Sequence, residues 1–289
     1  MLTVVEGRST LTISSYESDL YALLEYLGGE DELLSVSSSK LDEYFAYLRS
    51  IGRKGSTVAR AMSSARGYFR YLLDEGRLSV DPTARLAVAT RGKSLPKALS
   101  EDYVNTLLAS IDSTSTLDIR DRLIVEFLYG TGARVSEMID LEIQDVDLDE
   151  MLVRVTGKGS KQRLVPVGRH LALAFQDYFG PHGRDLLRSP ASRASLFVNA
   201  RGGKLTRHGV NEILIRRARK SGLSTNGLHA HAFRHSCATH MIAHGADIRV
   251  VQELLGHSSI ATTQRYTGVA LTTLRTAYGN AHPRAAGMN

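Results

Sequence analysis

HAHAFRHSCATHMIAHG, residues 229–245, contains five of the ten histidines of the chain, its only cysteine and one arginine. This density of imidazoles is typical of a metal site, in which the side chains must point towards one ion. At about 100° per residue on a helix, His231 and Arg234 lie on one face, whereas His240 and His244 project from the opposite side. A zinc site needs roughly three or four converging ligands. We therefore expect no metal site here.

The face that carries His231 and Arg234 suits a phosphate better than a metal ion. The two residues have the i, i+3 spacing that makes side chains neighbours on a helix. A guanidinium gives a phosphate bidentate, charge-assisted hydrogen bonds, and an imidazole can move a proton near neutral pH. For His235 and His240 the pattern favours ordinary packing and surface positions.

The composition is that of a globular protein with room for about two domains. The chain has 289 residues, of which 43% are hydrophobic and 23% are charged. No apolar run approaches the roughly 18 residues of a membrane span, and the N-terminus lacks the apolar core of a signal peptide. Cys237 has no second cysteine with which to form an internal disulfide, which fits a reducing compartment. These features predict a cytoplasmic protein with no membrane partner.

Basic residues are concentrated in three stretches, although the net charge is only +6. Residues 53–70 carry five bases and no acid, residues 151–167 carry four and none, and residues 201–220 carry seven against one acid. Residues 1–48, in contrast, carry nine acids against two bases. Three separate basic stretches favour a surface that follows nucleic-acid phosphates, and the alternative is three solvated faces.

Residues 1–87 predict a helical domain. Thr12, Ser39 and Ser56 are candidate N-caps of three helices that end at glycines. In the third helix an apolar stripe faces the core and leaves three arginines facing outward. The stripe is Met62, Ala65, Phe69 and Leu72, and the arginines are Arg60, Arg66 and Arg70. Residues 88–99 are polar, basic and contain proline, as expected of an interdomain linker.

Residues 100–289 predict a mixed domain. Ser100 caps its first predicted helix, and a second covers roughly residues 118–128. Alternating apolar residues predict a β-hairpin around GKGSK, residues 157–161, with Lys158 at its tip. Further helices are predicted over residues 169–179, 207–220, 231–244, 248–255 and 259–266.

Five motifs, in their order and spacing, resemble those of the tyrosine recombinases. They are GTGARVSE at 130–137, TGKGSKQR at 156–163, HAFRH at 231–235, LLGHSS at 254–259 and TTQRYTG at 262–268. Within this family, HGADIRVVQELLGHSSIATTQRYT most resembles the Xer recombinases. Ala133 and Phe233 stand where leucine is common in the family. The family also commonly carries more residues before the first helix, which leaves two alternatives: part of that helix is absent, or the native start lies upstream.

The resemblance implies a mainly α fold with a small β-sheet. A helical SAM-like core-binding domain would occupy residues 1–87, and a mixed α/β tyrosine-recombinase catalytic domain would occupy residues 100–289. Together they would close around DNA as a C-shaped clamp. The tail, residues 268–289, has an apolar helical face and in the resembling family docks on a neighbouring protomer, so we expect head-to-tail exchange in a ring of four.

The resemblance also implies a catalytic role for each motif residue. Tyr266 would attack a DNA phosphorus to give a 3′-phosphotyrosyl link and a free 5′-hydroxyl. Arg134 and Arg234 would stabilise the charge of the transition state. Three further residues would assist: His231 as the base, Lys158 as the general acid for the departing 5′-oxygen, and His257 as a phosphate hydrogen-bond donor.

Glu137 would orient the region around Arg134, and no metal or other cofactor is implied. Taken singly, each of these residues has an ordinary explanation, such as a half-buried tyrosine, a turn lysine or a surface ion pair. The ordered set favours catalysis over these alternatives.

The basic stretches supply the candidate DNA contacts. These residues are Arg60, Arg66, Arg70, Lys161, Arg163, Lys204, Arg207, Arg216 and Arg217. The implied partners are a duplex recombination site, self or a paralogous recombinase in a tetramer on DNA, and a DNA translocase as activator.

The interpretation that results is a site-specific DNA recombinase, which resolves chromosome dimers at segregation through a phosphotyrosyl intermediate and a Holliday junction. Two alternatives remain open. One is another enzyme with the same chemistry, such as a phage or transposon integrase or a type IB topoisomerase-like enzyme. The other is a noncatalytic DNA-binding regulator that keeps the fold.

Overall fold

The structure is a computed structural model. It describes residues 10–86, 98–184, 194–256 and 268–285, with the side chains of all of these except residues 10–12, 158 and 268–270. The chain divides into two compact units, Met1–Ser94 and Leu95–Asn289. This division lies inside the segment predicted as a linker. Within the described ranges, no helix is both long and apolar enough to cross a bilayer.

The first unit is helical. Its helices are α1 (Thr10–Leu27), α2 (Glu30–Leu34), α3 (Ser38–Ser50) and α4 (Gly55–Asp74). The apolar stripe predicted on α4 is buried, with Phe69 and Leu72 fully enclosed. These side chains pack with those of α1 and α3 into one core that includes Leu23, Leu41 and Phe45. Helical spacing of large apolar residues is thus sufficient to define this core.

The N-caps of this unit differ from the predicted ones. The side chain that caps α3 is Ser37, which accepts a hydrogen bond from the amide of Lys40, and not Ser39. Helix α4 has Lys54 at its N-cap position and no side-chain cap, so the prediction of Ser56 is wrong. Because three serines follow one another at 37–39, any of them could cap, and the sequence alone does not select one.

The second unit consists of eight helices and a small sheet within its described residues. The helices are α5 (Glu101–Ala109), α6 (Thr116–Thr131), α7 (Val135–Ile139), α8 (Arg169–Phe179), α9 (Arg207–Lys220), α10 (Ala230–Ala243), α11 (Ile248–Leu255) and α12 (Gly268–Ala281). Three antiparallel strands lie in the order β1 (Val146–Asp147), β2 (Leu152–Thr156) and β3 (Gln162–Pro166).

Most predicted elements of this unit are confirmed. Ser100 caps α5 by accepting from the amide of Tyr103. Helices α8, α9 and α11 have the predicted bounds, whereas α6 is longer at both ends than expected. The hairpin is present, and its backbone forms a 3-10 turn over Lys158–Ser160. The helix predicted over residues 259–266 lies outside the described residues.

Helix α6 is the centre of the second unit, because every residue from Ile119 to its end at Thr131 except Arg122 is buried. It packs against α8 and α10. Its aromatic residue Phe127 makes edge-to-face contacts with Phe175 and Phe197. The last two residues, Gly130 and Thr131, are also buried, so α6 ends inside the unit, beside the candidate site.

The tail packs against its own unit in the single chain. Leu274 and Tyr278 are buried, and the Tyr278 hydroxyl donates to the Gly130 carbonyl at 2.9 Å. The His282 ring nitrogen Nε2 lies 3.1 Å from the Tyr129 carbonyl. Exchange of this tail between protomers would require these contacts to open, and that exchange stays a prediction.

Candidate active site

The backbone at the end of α6 lies close to two other helices, α10 and α11. Gly132 ends α6 with φ 57, in the left-handed region that disfavours a side chain. A Cβ at this position would lie 2.5 Å from Cδ2 of Leu255 and 3.3 Å from Sγ of Cys237. Glycine is therefore needed both for the turn and for the close approach of α11 and α10.

Arg134 and Glu137 are fixed together at the start of α7. The backbone amide of Arg134 donates to Glu137 Oε2 at 2.8 Å, and the Arg134 atom Nη1 donates to Oε1 at 2.7 Å. Nη2 also reaches the Gly256 carbonyl at 3.4 Å. The Arg134 side chain is 42% exposed, but that of Glu137 is only 3% exposed. The guanidinium is thus held from its inner edge while its outer edge faces solvent.

A second arginine, Arg163 on β3, holds the other side of the same carboxylate. Its Nη1 and Nη2 atoms donate to Glu137 Oε1 at 3.1 Å and Oε2 at 2.9 Å. Its Nε donates to the Leu254 carbonyl at 2.8 Å, and its side chain is 8% exposed. Because its guanidinium is buried and neutralised by a carboxylate, the structure favours an internal role for Arg163 over the predicted DNA contact.

Glu137 is ionised by its two arginines. Burial by itself would raise the pKa of this carboxyl. The hydrogen bonds and charge of Arg163, followed by those of Arg134, outweigh burial and hold the pKa of Glu137 below its ordinary value. The carboxylate is therefore a fixed negative charge around which the two guanidiniums are arranged.

Arg234 on α10 is a buried cation. Its Nη1 and Nη2 atoms donate to the carbonyls of Gly132 at 2.7 Å and Leu255 at 2.8 Å. Burial, followed by repulsion from Arg134, lowers the pKa of Arg234 to about 10, so it stays charged at neutral pH. No carboxylate pairs with it among the described residues. Because a buried charge without a counter-ion is costly, this site is arranged to receive an anion.

His231 lies on the same helix, and the residue as a whole is exposed. Desolvation, followed by repulsion from Arg234, lowers the pKa of His231 below its ordinary value. The neutral imidazole therefore predominates at neutral pH, as a base requires. His229, two residues earlier, caps α10 by accepting from the amide of Ala232, which fixes the start of the helix.

Three predicted catalytic groups are not part of this geometry. His257 and Tyr266 lie outside the described residues, and the structure does not describe the side chain of Lys158. The backbone of Lys158 lies at the start of the hairpin turn. His257 follows directly on Gly256, whose carbonyl lies beside Arg134.

The comparison with known families agrees with this arrangement. A model described as the phage integrase family matches residues 97–272, and one described as the phage integrase N-terminal SAM-like domain matches residues 1–76. The first match alone spans more than half of the chain. The chain belongs to the phage integrase family of tyrosine recombinases.

Named relatives of this recombinase match over nearly its full length. Tyrosine recombinase XerD of Bifidobacterium longum is 38% identical over 292 residues, with 98% of this chain and 94% of the relative covered. Tyrosine recombinase XerD of Mycobacterium tuberculosis is 39% identical over 297 residues, with 98% and 95% covered. Family membership therefore rests on both domains and not on the active-site motifs alone.

Solved structures share the fold of the recombinase. The XerH site-specific recombinase bound to a palindromic difH substrate superposes with a TM-score of 0.72 at 25% identity, covering 93% of this chain and 76% of that one. A lambda integrase dimer bound to a COC′ core site gives a TM-score of 0.69 at 18% identity, covering 92% and 96%. The latter likeness concerns the fold alone.

Two further histidines of the opening stretch have partners of their own. His240 Nδ1 lies 2.8 Å from the Tyr129 hydroxyl, and His244 lies 3.1 Å from a carboxylate oxygen of Glu101. Among the described residues, no three histidines, cysteines or carboxylates gather into a group that could hold a metal ion. The histidine density thus reflects several separate roles.

The structure separates the predicted DNA contacts into two groups. The exposed residues are Arg60, Arg70, Lys161, Lys204, Arg207 and Arg216. Three of these, Arg60, Lys204 and Arg216, also donate to carboxylates. Arg66 is half-buried and donates to the Leu86 carbonyl. Arg217 is only 8% exposed and pairs with Asp118 and Asp121, which favours an internal ion pair over the predicted DNA contact. These two carboxylates neutralise the charge of Arg217 inside the protein.

The sequence analysis missed the role of Arg163, although a signal was available. Side chains alternate across a strand, so Arg163 shares a face with Val165 and not with the outward-facing Gln162. Val165 is fully buried, and Gln162 is exposed. An arginine on the inner face of a strand needs a buried partner, and the sequence motif around Arg134 contains one in Glu137.

Proposed function

We propose that the protein is a site-specific DNA recombinase that cuts and rejoins duplex DNA and resolves chromosome dimers. The observation that carries this proposal is the pair of guanidiniums from Arg134 and Arg234, the second buried with no carboxylate partner among the described residues. With His231 on the same helix, they form a site that suits a single phosphodiester.

In the proposed reaction, the Tyr266 oxygen attacks the phosphorus and the bond to the 5′-oxygen breaks. The phenol proton passes to His231, whose lowered pKa keeps it neutral beforehand. The departing 5′-oxygen takes a proton from Lys158 and leaves as a hydroxyl. The 3′-phosphotyrosyl ester conserves the energy of the broken bond, so the reverse attack by another 5′-hydroxyl joins strands without a nucleotide cofactor.

Arg134 and Arg234 would stabilise the extra negative charge on the nonbridging oxygens during attack. Donors fixed before the reaction need no reorganisation when this charge develops. The carbonyls of Gly132 and Leu255 already orient Arg234. His257 would complete this set with one further hydrogen bond.

The proposed working form is a tetramer on two DNA sites, composed of this chain alone or of this chain with a paralogue. Two successive exchanges, each of one pair of strands, would pass through a Holliday junction. The named XerD relatives and the XerH structure described as bound to difH substrate support action on a duplex DNA site, and the tetramer is what the family resemblance implies. Activation by a DNA translocase is part of the same proposal.

The test begins with selection of the binding site from a pool of randomised duplexes. Two direct copies of that site are then placed on a supercoiled plasmid, and the products are separated by gel electrophoresis. Deletion of the intervening DNA supports the proposal. A requirement for two different sites would instead indicate an integrase, and binding with neither a recombination product nor a covalent protein–DNA adduct would indicate a regulator.

A further inference from the structure

Arg163 connects three parts of the candidate site. It lies on β3, where it pairs in register with Val155 of β2. From there it donates to both oxygens of Glu137 and to the carbonyl of Leu254. The hairpin, the start of α7 and the end of α11 therefore meet at one guanidinium.

The first consequence concerns the outer edge of Arg134. Glu137 is almost fully buried and has two arginine partners. Without Arg163, the buried carboxylate would retain only Arg134 as a counter-ion, and Arg134 would be drawn inward to satisfy it. The bond from Arg163 thus leaves the exposed edge of Arg134 available for a phosphate.

The second consequence concerns the end of α11. Gly256 follows this helix with φ 68, and a Cβ there would lie 3.1 Å from Arg163 Nη1 and 3.2 Å from Cδ. The Arg163 guanidinium thus packs against Gly256, the residue that precedes His257. Together with the bond to Leu254, this contact fixes where the chain leaves α11.

The third consequence concerns the hairpin that carries Lys158. Gly157 donates from its amide to the carbonyl of Lys161 at 2.7 Å, which closes the hairpin turn. A Cβ on Gly157 would lie 3.3 Å from Glu137 Oε1. The base of the turn therefore rests on the carboxylate that Arg163 holds.

We propose that Arg163 is a positioning residue that fixes the Lys158 hairpin, the Arg134–Glu137 pair and the end of α11 relative to one another. It does not touch DNA. The proposal rests on the proposed recombinase function, since it assigns how the groups of that reaction are placed.

The test uses Arg163→Lys, which keeps the charge but cannot donate to both carboxylate oxygens and to Leu254 in the same planar geometry. The matched control is Arg217→Lys, since Arg217 is equally buried and carboxylate-paired but lies in the contact between α9 and α6. Thermal unfolding and DNA affinity are measured for both variants, so that a general loss of stability is recognised.

Cleavage is then followed under single-turnover conditions on two duplexes of the selected site. One has an ordinary 5′-oxygen leaving group, and the other has a 5′-bridging phosphorothiolate, whose sulfur leaves without a proton. We expect Arg163→Lys to bind DNA within about twofold of wild type and to cut the ordinary duplex about 100-fold more slowly. The sulfur substrate should recover at least about tenfold of this loss, because Lys158 is no longer needed there.

Each other result overturns a defined part of the account. Equal slowing on both duplexes, a rate close to wild type, or the same substrate-dependent loss in Arg217→Lys would each show that Arg163 does not position the hairpin. A wild-type protein that forms no covalent adduct with either duplex would instead overturn the proposed recombinase function itself.

Discussion

The Arg234 atom Nη1 donates to the carbonyl of Gly132 at 2.7 Å, across two helices that are far apart in the sequence. This bond joins the end of α6 to the middle of α10. It holds a buried guanidinium close enough to Arg134 for the charge of Arg134 to lower its pKa. The two arginines are therefore placed before any DNA arrives, which is the condition for efficient stabilisation of charge in a transition state.

Replacing Arg234 should affect chemistry far more than DNA affinity. We expect Arg234→Gln to reduce the single-turnover cleavage rate about 100- to 1000-fold, because one preorganised donor to the phosphate is lost. DNA affinity, measured by gel shift, should change by less than about threefold, since most affinity comes from many other phosphate contacts. The control Arg249→Gln alters an exposed arginine on α11. If Arg249→Gln slows cleavage as much as Arg234→Gln, the special role of Arg234 is refuted.

Gly132 should be more sensitive to a side chain than other left-handed glycines. Gly132→Ala and Gly222→Ala both place alanine at positive φ, 57 and 69 respectively. Only the first also meets Leu255, whereas the Cβ at Gly222 meets nothing within 4 Å. We expect Gly222→Ala to lower the free energy of unfolding by about 1 kcal/mol and Gly132→Ala by clearly more, as measured by urea denaturation. Equal losses would mean that α11 does not approach Gly132 this closely.

The stability of the catalytic unit should fall as the pH falls below about 6.5. Burial lowers the pKa of His282 to about 3, so the unfolded chain binds a proton that the folded chain excludes. The stabilisation is complete above the unfolded pKa of about 6.5 and is lost progressively below it, by about 2 kcal/mol between pH 7 and pH 5.

The measurement compares urea denaturation of wild type and His282→Gln across this range. Other histidines with lowered pKa values, such as His240, contribute in the same direction in both proteins. The variant should therefore show a smaller loss than wild type by about 2 kcal/mol. Parallel pH profiles would show that His282 is not buried as a neutral group.

The tail contact should contribute measurably to the stability of the single chain. Tyr278→Phe removes the hydroxyl that donates to Gly130 and should lower the free energy of unfolding by about 1 kcal/mol. Tyr21→Phe is the matched control, because Tyr21 is 70% exposed. A Tyr278→Phe variant as stable as the control would indicate that the tail does not pack in this way in solution.

The fold was largely predictable from the sequence because its signals are local. The bounds of α8, α9 and α11 follow from periodic apolar residues, from glycines at helix ends and from the N-caps Thr206 and Asp247 of α9 and α11. The family motifs contain Arg134, Glu137 and Arg234, which the structure brings together. Local periodicity and ordered motifs were sufficient for these features.

The roles of individual basic residues were less predictable because they depend on long-range pairing. Arg163 and Arg217 were expected to contact DNA on the basis of charge alone. Their carboxylate partners include Glu137, 26 positions away, and Asp121, 96 positions away. A count of charges along the chain cannot distinguish a buried, neutralised arginine from an exposed one, since only the fold determines which carboxylates lie within reach.

The central claim is that Tyr266 forms a covalent bond to DNA, and one measurement tests it directly. A nicked duplex of the selected site, which loses its 5′-hydroxyl fragment after cleavage, is incubated with wild type and with Tyr266→Phe, and adducts are separated on a denaturing gel. The wild-type adduct is then digested, and its DNA-linked peptide is identified by mass spectrometry. The account predicts an adduct on Tyr266 in wild type and none in Tyr266→Phe, with DNA binding retained. An adduct of wild-type yield in the variant, or one on another residue, would contradict it.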